Sequence, residues 1–76
     1  MFNKKIKTTV KIEGMSCEHC ANKVKTVLEK IDVVKKVKVN LSKKESVIIS
    51  DKSINEGQVK EMIENLDYKV INIVEE

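Results

Sequence analysis

Residues 8–31 read TTVKIEGMSCEHCANKVKTVLEKI, and the spacing of the apolar residues changes within this segment. Over residues 8–12 apolar and polar side chains alternate, which is the period of a strand with one face in water. Over about residues 20–31 the apolar side chains recur at intervals of three and four, which predicts an amphipathic helix. The segment therefore predicts a strand that ends at Gly14, then a loop, then a helix.

The rest of the chain predicts three more strands and a second helix. Within residues 33–41, Val37, Val39 and Leu41 alternate with Lys36, Lys38 and Asn40. Residues 45–50 contain a β-branched run, so the two segments predict a hairpin that turns at residues 42–44. Asn55 and Gln58 have the spacing of a capping box at the start of the second helix. That helix has an apolar stripe of Val59, Met62, Ile63 and Leu66. Residues 69–74 predict a last, well-buried strand.

The predicted order of elements is β-α-β-β-α-β, which specifies an α+β fold. Connections between parallel strands are right-handed, so both helices lie on the same face of a four-stranded antiparallel sheet. This is the ferredoxin-like arrangement. The opposite sheet face carries lysines and is expected to face solvent.

The composition indicates one small domain, residues 1–76, with an aliphatic core. Hydrophobic residues make up 41% of the chain, but only Phe2 and Tyr68 are aromatic. No apolar stretch approaches the roughly 18 residues that span a bilayer. The basic N-terminus, residues 1–5, is not followed by the apolar segment of a signal peptide. We therefore expect no membrane insertion and a cytoplasmic location.

The charge pattern makes nucleic acid an improbable ligand class. The formal net charge is +3, and every basic residue is a lysine. Arginine is the residue that reads phosphates and guanine edges in bidentate fashion, and it is missing. Modules of this topology that bind RNA stack bases on aromatic side chains of the central strands, which are also missing here. Enzymatic activity is not expected, because the chain has one histidine and no phosphate-binding loop.

Both cysteines, Cys17 and Cys20, lie in the loop between the first strand and the first helix. Two cysteines with this spacing at a helix start can turn both sulfurs to one side, where the helix dipole favours thiolates. Three interpretations are open: a metal site, a redox dithiol, or two structural cysteines. A polar loop is poor core material, and the proline and tryptophan typical of a thioredoxin site are absent from the sequence. A structural zinc site wants four ligands, whereas two thiolates suit a soft ion such as Cu(I).

Residues 14–20, GMSCEHC, resemble the GMxCxxC motif of heavy-metal-associated domains. The resemblance extends over the six predicted elements, from about residue 4 to residue 74. It implies a copper(I) chaperone of the small cytosolic bacterial type. Such a chaperone passes Cu(I) to the metal-binding domain of a copper-transporting P-type ATPase or to a copper-responsive regulator, by exchange of thiolate ligands.

The resemblance also implies roles for individual residues. Cys17 and Cys20 would be the metal ligands, with Cys17 more exposed and engaged first by a partner. Met15 falls where the family has a methionine packed under the metal loop. Tyr68 falls where bacterial members often have a tyrosine that faces the site. The residue before it, Asp67, departs from the glycine that the family usually has there.

Other residues near the motif have more than one interpretation. His19 could complete a third coordination position, or it could point to solvent from the helix start. Lysines follow the metal loop and would either form a solvated face or steer an acidic partner, with Lys23 and Lys25 as the docking residues. The lysines of this group are Lys23, Lys25, Lys30, Lys35 and Lys36.

The sequence leaves the metal and the molecular context open. Hg(II), Ag(I), Cd(II) and Zn(II) can also use two thiolates. The chain could be a free-standing carrier or a soluble domain of a heavy-metal ATPase. We expect a monomer without metal, although two such loops can share four sulfurs in a metal-bridged dimer.

Overall fold

The computed structural model describes residues 5–76, so Phe2 and most of the basic N-terminal segment lie outside the described residues. The elements are listed here in chain order: β1 (Ile6–Glu13), α1 (Glu18–Leu28), β2 (Val34–Asn40), β3 (Glu45–Ser50), α2 (Glu56–Glu64) and β4 (Lys69–Glu75). The strand order in the sheet is β2-β3-β1-β4, and each neighbouring pair is antiparallel. The predicted ferredoxin-like βαββαβ fold is confirmed.

The core lies between the helices and one face of the sheet. Its members are almost all aliphatic and nearly inaccessible to solvent: Val10, Ile12, Met15, Val24, Leu28, Val37, Ile48, Ile54, Val59 and Ile63. The strands contribute every second residue and the helices contribute their apolar stripes, as the two periods predict. Both helices therefore pack on the same sheet face.

Helix α2 begins with the predicted cap. The side-chain oxygen of Asn55 accepts a hydrogen bond from the backbone N–H of Gln58, at 3.0 Å. This bond satisfies a donor that the first turn of a helix cannot pair internally. The polar residues before the stripe therefore define where α2 starts.

Helix α1 starts earlier and ends earlier than its apolar stripe predicts. It begins at Glu18, so Cys20 lies within its first turn rather than at its start. After Leu28 the chain tightens, and the N–H of Ile31 donates to the carbonyl of Leu28 at 3.2 Å. Ile31 still packs against the core from this turn. The apolar stripe therefore extends beyond the end of the helix, because a residue in the following turn can also pack on the core.

The prediction that the last strand is well buried was wrong. Strand β4 lies at the edge of the sheet, and Ile71 and Val74 are 57% and 46% exposed. The pairing of β1 with β4 shifts at Ile71, since Lys11 faces Asn72 while Ile12 faces Val70. An extra residue of this kind is a β-bulge, which twists an edge strand away from regular pairing.

The topology brings three segments together at one end of the sheet. Strand β1 ends and α1 begins there, joined by residues 14–17. Because β4 runs antiparallel to β1, Glu13 at the end of β1 pairs with Lys69 at the start of β4. Tyr68, just before β4, therefore lies beside the loop that carries the cysteines. Among residues 5–76, no helix is both long enough and apolar enough to cross a bilayer.

Candidate metal centre

The loop before α1 begins with a glycine in the left-handed region. Gly14 has φ of +109°, a conformation that side-chain-bearing residues rarely adopt. A Cβ atom at this position would lie 3.2 Å from Cδ1 of Tyr68. The missing side chain therefore lets the tyrosine ring lie against the loop backbone.

The two cysteines occupy different places at the start of α1. Cys17 is the N-cap residue, with extended backbone angles and a carbonyl that accepts the N–H of Ala21 at 3.1 Å. Its side chain makes no capping bond and is exposed. Cys20 is half-buried and packs against the core. The two Sγ atoms are 3.6 Å apart, so both sulfurs can contact a single ion.

The surroundings of Cys20 favour its thiolate. The hydrogen-bonding hydroxyl of Tyr68 is the largest of the influences that lower the pKa of the Cys20 thiol, from 9.0 to about 7. Backbone and side-chain hydrogen bonds from Ser16 and Cys17 act in the same direction. The same contact with Cys20 raises the pKa of Tyr68 to about 12, because an ionised phenol would face a thiolate. Tyr68 therefore stays a neutral hydroxyl at physiological pH, beside a Cys20 thiol that ionises near pH 7.

Of the other predicted site residues, one is buried under the loop and one is exposed on the helix. Met15 is 4% exposed and belongs to the hydrophobic core, directly beneath the loop. His19 is exposed on the first turn of α1. Within residues 5–76, no three side chains of the His, Cys, Asp and Glu types form a cluster that could hold a metal. The structure thus brings two sulfurs together and adds no third side-chain ligand.

The lysines that follow the loop in sequence divide into separate groups in space. Lys23 and Lys25 are exposed on α1, and Lys25 lines a groove of about 520 Å³ between α1 and β2, together with Lys38. Lys30 instead follows the far end of α1. Lys35 pairs with Asp51 at 3.2 Å. The prediction that these lysines cluster beside the metal loop was wrong for Lys30 and Lys35, because α1 runs away from the loop.

Sequence reasoning missed two contributions to the site. Gly14 was recognised only as the end of a strand, although its backbone also accommodates the ring of Tyr68. Its place as the first residue of the GMSCEHC segment was the available signal. Ser16 acts through its backbone, which helps to lower the pKa of Cys20, and a backbone contribution of this kind leaves no signal in residue types.

Comparisons with known proteins agree with this geometry. The family described as the heavy-metal-associated domain matches residues 9–69. A copper chaperone CopZ of Staphylococcus epidermidis is 40% identical over 62 residues, which are 80% of this chain and 91% of that protein. Among solved structures, a CopZ metallochaperone is 33% identical, with a TM-score of 0.77 over 86% of this chain and 98% of its own.

A second similar structure belongs to a transporter. It is the N-terminal domain of a potential copper-translocating P-type ATPase from Bacillus subtilis in the Cu(I)-loaded state. That domain is 29% identical to this chain, with a TM-score of 0.80, and the match covers 88% of this chain and 85% of that one.

Proposed function

The chain belongs to the heavy-metal-associated domain family, and we propose that it is a copper(I) chaperone that carries one ion on Cys17 and Cys20. The observation that carries the proposal is the pair of accessible sulfurs 3.6 Å apart at the start of α1. Similarity to copper chaperones named CopZ supports copper as the cargo. Carriage rather than catalysis is the proposed role, performed by residues 1–76 as one domain in the cytoplasm.

The number and type of ligands favour Cu(I) over Zn(II). Structural zinc sites use four ligands, whereas the described residues provide two thiolates without a third clustered group. Soft thiolate ligands select Cu(I). A linear two-coordinate ion separates its sulfurs by about twice a metal–sulfur distance of roughly 2.3 Å, taking the zinc–thiolate value as a guide. The sulfurs would then move apart by about 1 Å on loading, which the uncapped side chain of Cys17 can accommodate.

Charge balance at the loop supports the same cargo. Binding of Cu(I) to two thiols releases two protons and leaves a complex with one negative charge. The N-terminus of α1 stabilises a negative charge, since its unpaired N–H groups point toward the loop. The lowered pKa of Cys20 means that this ligand needs little help to lose its proton near pH 7.

The unequal exposure of the cysteines supports transfer in two steps. A partner thiolate would bond to Cu(I) first, and the bond from Cu(I) to the exposed Cys17 would break. A second partner thiolate would then displace Cys20, and copper would remain Cu(I) throughout. The proposed acceptor is the metal-binding domain of a copper-transporting P-type ATPase, with a copper-responsive regulator as a second acceptor. Lys23 and Lys25, both exposed on α1, would attract an acidic surface on that acceptor.

The proposal is tested by titrating the reduced protein with Cu(I) and with Zn(II), without oxygen, against a competing chelator. We expect one Cu(I) per chain and tighter binding of Cu(I) than of Zn(II). The matched control is the double variant Cys17→Ser with Cys20→Ser, which should lose Cu(I) binding and keep its fold. Equal affinity for the two ions, or Cu(I) binding by the double variant, would contradict the proposal. Light scattering during the titration tests for a monomer without metal and for a metal-bridged dimer.

Three alternatives are open, and the same reduced protein tests two of them. Hg(II), Ag(I) or Cd(II) would compete with Cu(I) if the chain carries another soft metal. A role as a soluble domain inside a heavy-metal ATPase would leave the binding results unchanged and alter only the acceptor. The 3.6 Å distance and the lowered pKa of Cys20 also suit thiol–disulfide exchange, so the reduction potential of the dithiol tests a redox role.

A further inference from the structure

The sheet face that is turned away from the helices carries a second feature, which is separate from the metal loop. It presents four lysines around a strip of β-branched residues. The surface, named here the basic sheet face, consists of Lys7, Lys11, Lys36, Lys38, Val47, Ile49 and Val74.

The pairing register places these residues in rows across the sheet. In one row Lys36 faces Ile49, which faces Lys7. In the next row Lys38 faces Val47, which lies beside Thr9. Strands are about 4.8 Å apart and two residues along a strand span about 7 Å, so the lysine positions cover an area roughly 10 Å wide.

A shallow depression confirms that the rows form one surface. It has a volume of about 480 Å³ and is lined by Lys7, Lys36, Lys38, Val47 and Ile49. The apolar residues form its floor, and the lysine side chains stand around it. Val74 adds an apolar side chain, 46% exposed, from the edge strand β4.

In the described part of the chain, two of the four lysines on this surface have an acidic neighbour, and two do not. Lys7 is 3.9 Å from Glu76, but both side chains are more than half exposed, so the pair is weak. Glu45 faces Lys11 in the third row. Within residues 5–76, Lys36 and Lys38 form no salt bridge. The basic sheet face therefore keeps a net positive charge.

We propose that the basic sheet face docks on an anionic lipid surface. Its lysines lie on one side of a sheet, so a flat layer of anionic headgroups can contact all of them at once. A single acidic peptide strand would contact only one row. Lysine stems can cover apolar surface while their ammonium groups reach phosphate, and the exposed valine can enter the headgroup boundary. Each lysine near an anionic surface adds to the attraction. RNA fits the described part of this face less well, because the face has no aromatic residue for base stacking.

Docking in this orientation leaves the metal loop accessible. The helices lie on the opposite face of the sheet, and the cysteines lie at its end. The chain could thus rest on a membrane while its loop meets a partner at the membrane surface. The inference goes beyond the proposed function and does not depend on it.

The test is sedimentation of the reduced, metal-free chain with vesicles. Vesicles of phosphatidylcholine mixed with phosphatidylglycerol should bind the chain, and vesicles of phosphatidylcholine alone should not. Binding should weaken as salt is added. The double variant Lys36→Gln with Lys38→Gln should reduce the partition coefficient by roughly 10- to 30-fold.

The matched control has the same charge change on the helical side of the protein. It is Lys30→Gln with Lys60→Gln, and both side chains are exposed. This variant should bind vesicles nearly as well as the wild type, and so should Cys17→Ser with Cys20→Ser. Equal weakening by both lysine pairs would show an effect of net charge and overturn the proposal. Binding of the face to polyglutamate but not to anionic vesicles would also overturn it, in favour of an acidic protein partner.

Discussion

Gly14 and Tyr68 are in contact, and this contact links the start of the metal loop to the segment before β4. The Cβ that glycine lacks would lie 3.2 Å from Cδ1 of the ring and 3.7 Å from the tyrosine Cα. With the ring in this place, the tyrosine hydroxyl is the largest influence that lowers the pKa of the Cys20 thiol. One glycine therefore permits an interaction that changes the chemistry of a thiol in the neighbouring helix.

Substitution of this glycine should cost stability and alter the thiol. Gly14→Ala forces a side chain into φ of +109° and pushes on the tyrosine ring. We expect the free energy of unfolding to fall by about 1–3 kcal/mol. The pKa of Cys20 should rise as the hydroxyl moves away. Urea denaturation and thiol titration of the metal-free protein measure the two effects.

The control for this prediction is the other glycine of the chain. Gly57 lies in the first turn of α2, where an added Cβ would meet only Asn55 Oδ1, at 3.2 Å. Gly57→Ala should change the free energy of unfolding by at most about 1 kcal/mol, because gained helix propensity offsets a push on the cap. Its Cys20 pKa should match that of the wild type. If Gly14→Ala and Gly57→Ala change the free energy of unfolding and the pKa of Cys20 by the same amounts, the contact between Gly14 and Tyr68 does not control either property.

Removing only the hydroxyl separates the chemistry of Tyr68 from its packing. Tyr68→Phe keeps the ring against Gly14, so stability at pH 7 should change little. The pKa of Cys20 should rise from about 7 toward its ordinary value of 9.0, since the largest influence that lowers it is lost. The pH dependence of alkylation of the reduced protein measures this shift. An unchanged profile would show that the hydroxyl does not stabilise the thiolate.

The lowered pKa of Cys20 also makes the stability of the metal-free protein depend on pH. The folded value is about 7 and the ordinary value is 9.0, so the unfolded chain binds more protons between these limits. Stability should therefore rise from pH 7 to pH 9 and lose this contribution as the pH falls through 7. Thermal melts across this range should show the rise in the wild type and a flatter profile in Tyr68→Phe. A wild-type profile as flat as that of the variant would contradict the assignment.

Local patterns predicted most of the fold because they report on one segment at a time. The alternation in β1, the stripe of α2 and the cap at Asn55 each depend on neighbours within a few residues. The exposure of β4 depends instead on sheet order, and its β-branched residues would suit a central strand equally well. Nothing in residues 69–74 specifies that β4 pairs with β1 alone and therefore lies at the edge of the sheet.

The candidate site divides in the same way. The cysteine spacing and the presence of a helix next to the cysteines were visible in sequence, since both are local. The contact of Tyr68 with Gly14 and its influence on Cys20 join distant segments. The resemblance to known domains placed Tyr68 at the site but did not indicate either interaction. Lys35 was misplaced for a related reason, because neighbours in sequence separate when a helix carries the chain across the sheet.

The residue before the tyrosine is strained in a way that a substitution can relieve. Asp67 has φ of +71°, in the left-handed region. Asp67→Gly should raise the free energy of unfolding by up to about 1 kcal/mol, since removing the penalty of roughly 1–2 kcal/mol outweighs the extra flexibility of glycine. Asp67→Ala should lower it, because alanine tolerates this region less well than aspartate. Asp67→Asn is the control for charge and should resemble the wild type. Urea denaturation measures the free energies of unfolding. A higher value for Asp67→Ala than for Asp67→Gly would contradict the assigned strain.

The last prediction concerns a polar group buried in the core. Thr8 is fully buried on the helix-facing side of β1, and its Oγ1 has no hydrogen-bond partner among the described residues. An unpaired buried hydroxyl costs about 1–3 kcal/mol, while valine has nearly the same shape. Thr8→Val should therefore raise the free energy of unfolding by about 1 kcal/mol in urea denaturation. Thr9→Val is the matched control, because Thr9 lies on the open face of the same strand and is only half-buried. This control should change stability by about 0.5 kcal/mol or less. Loss of stability in Thr8→Val would instead mean that the hydroxyl has a hydrogen-bond partner in solution, such as a buried water.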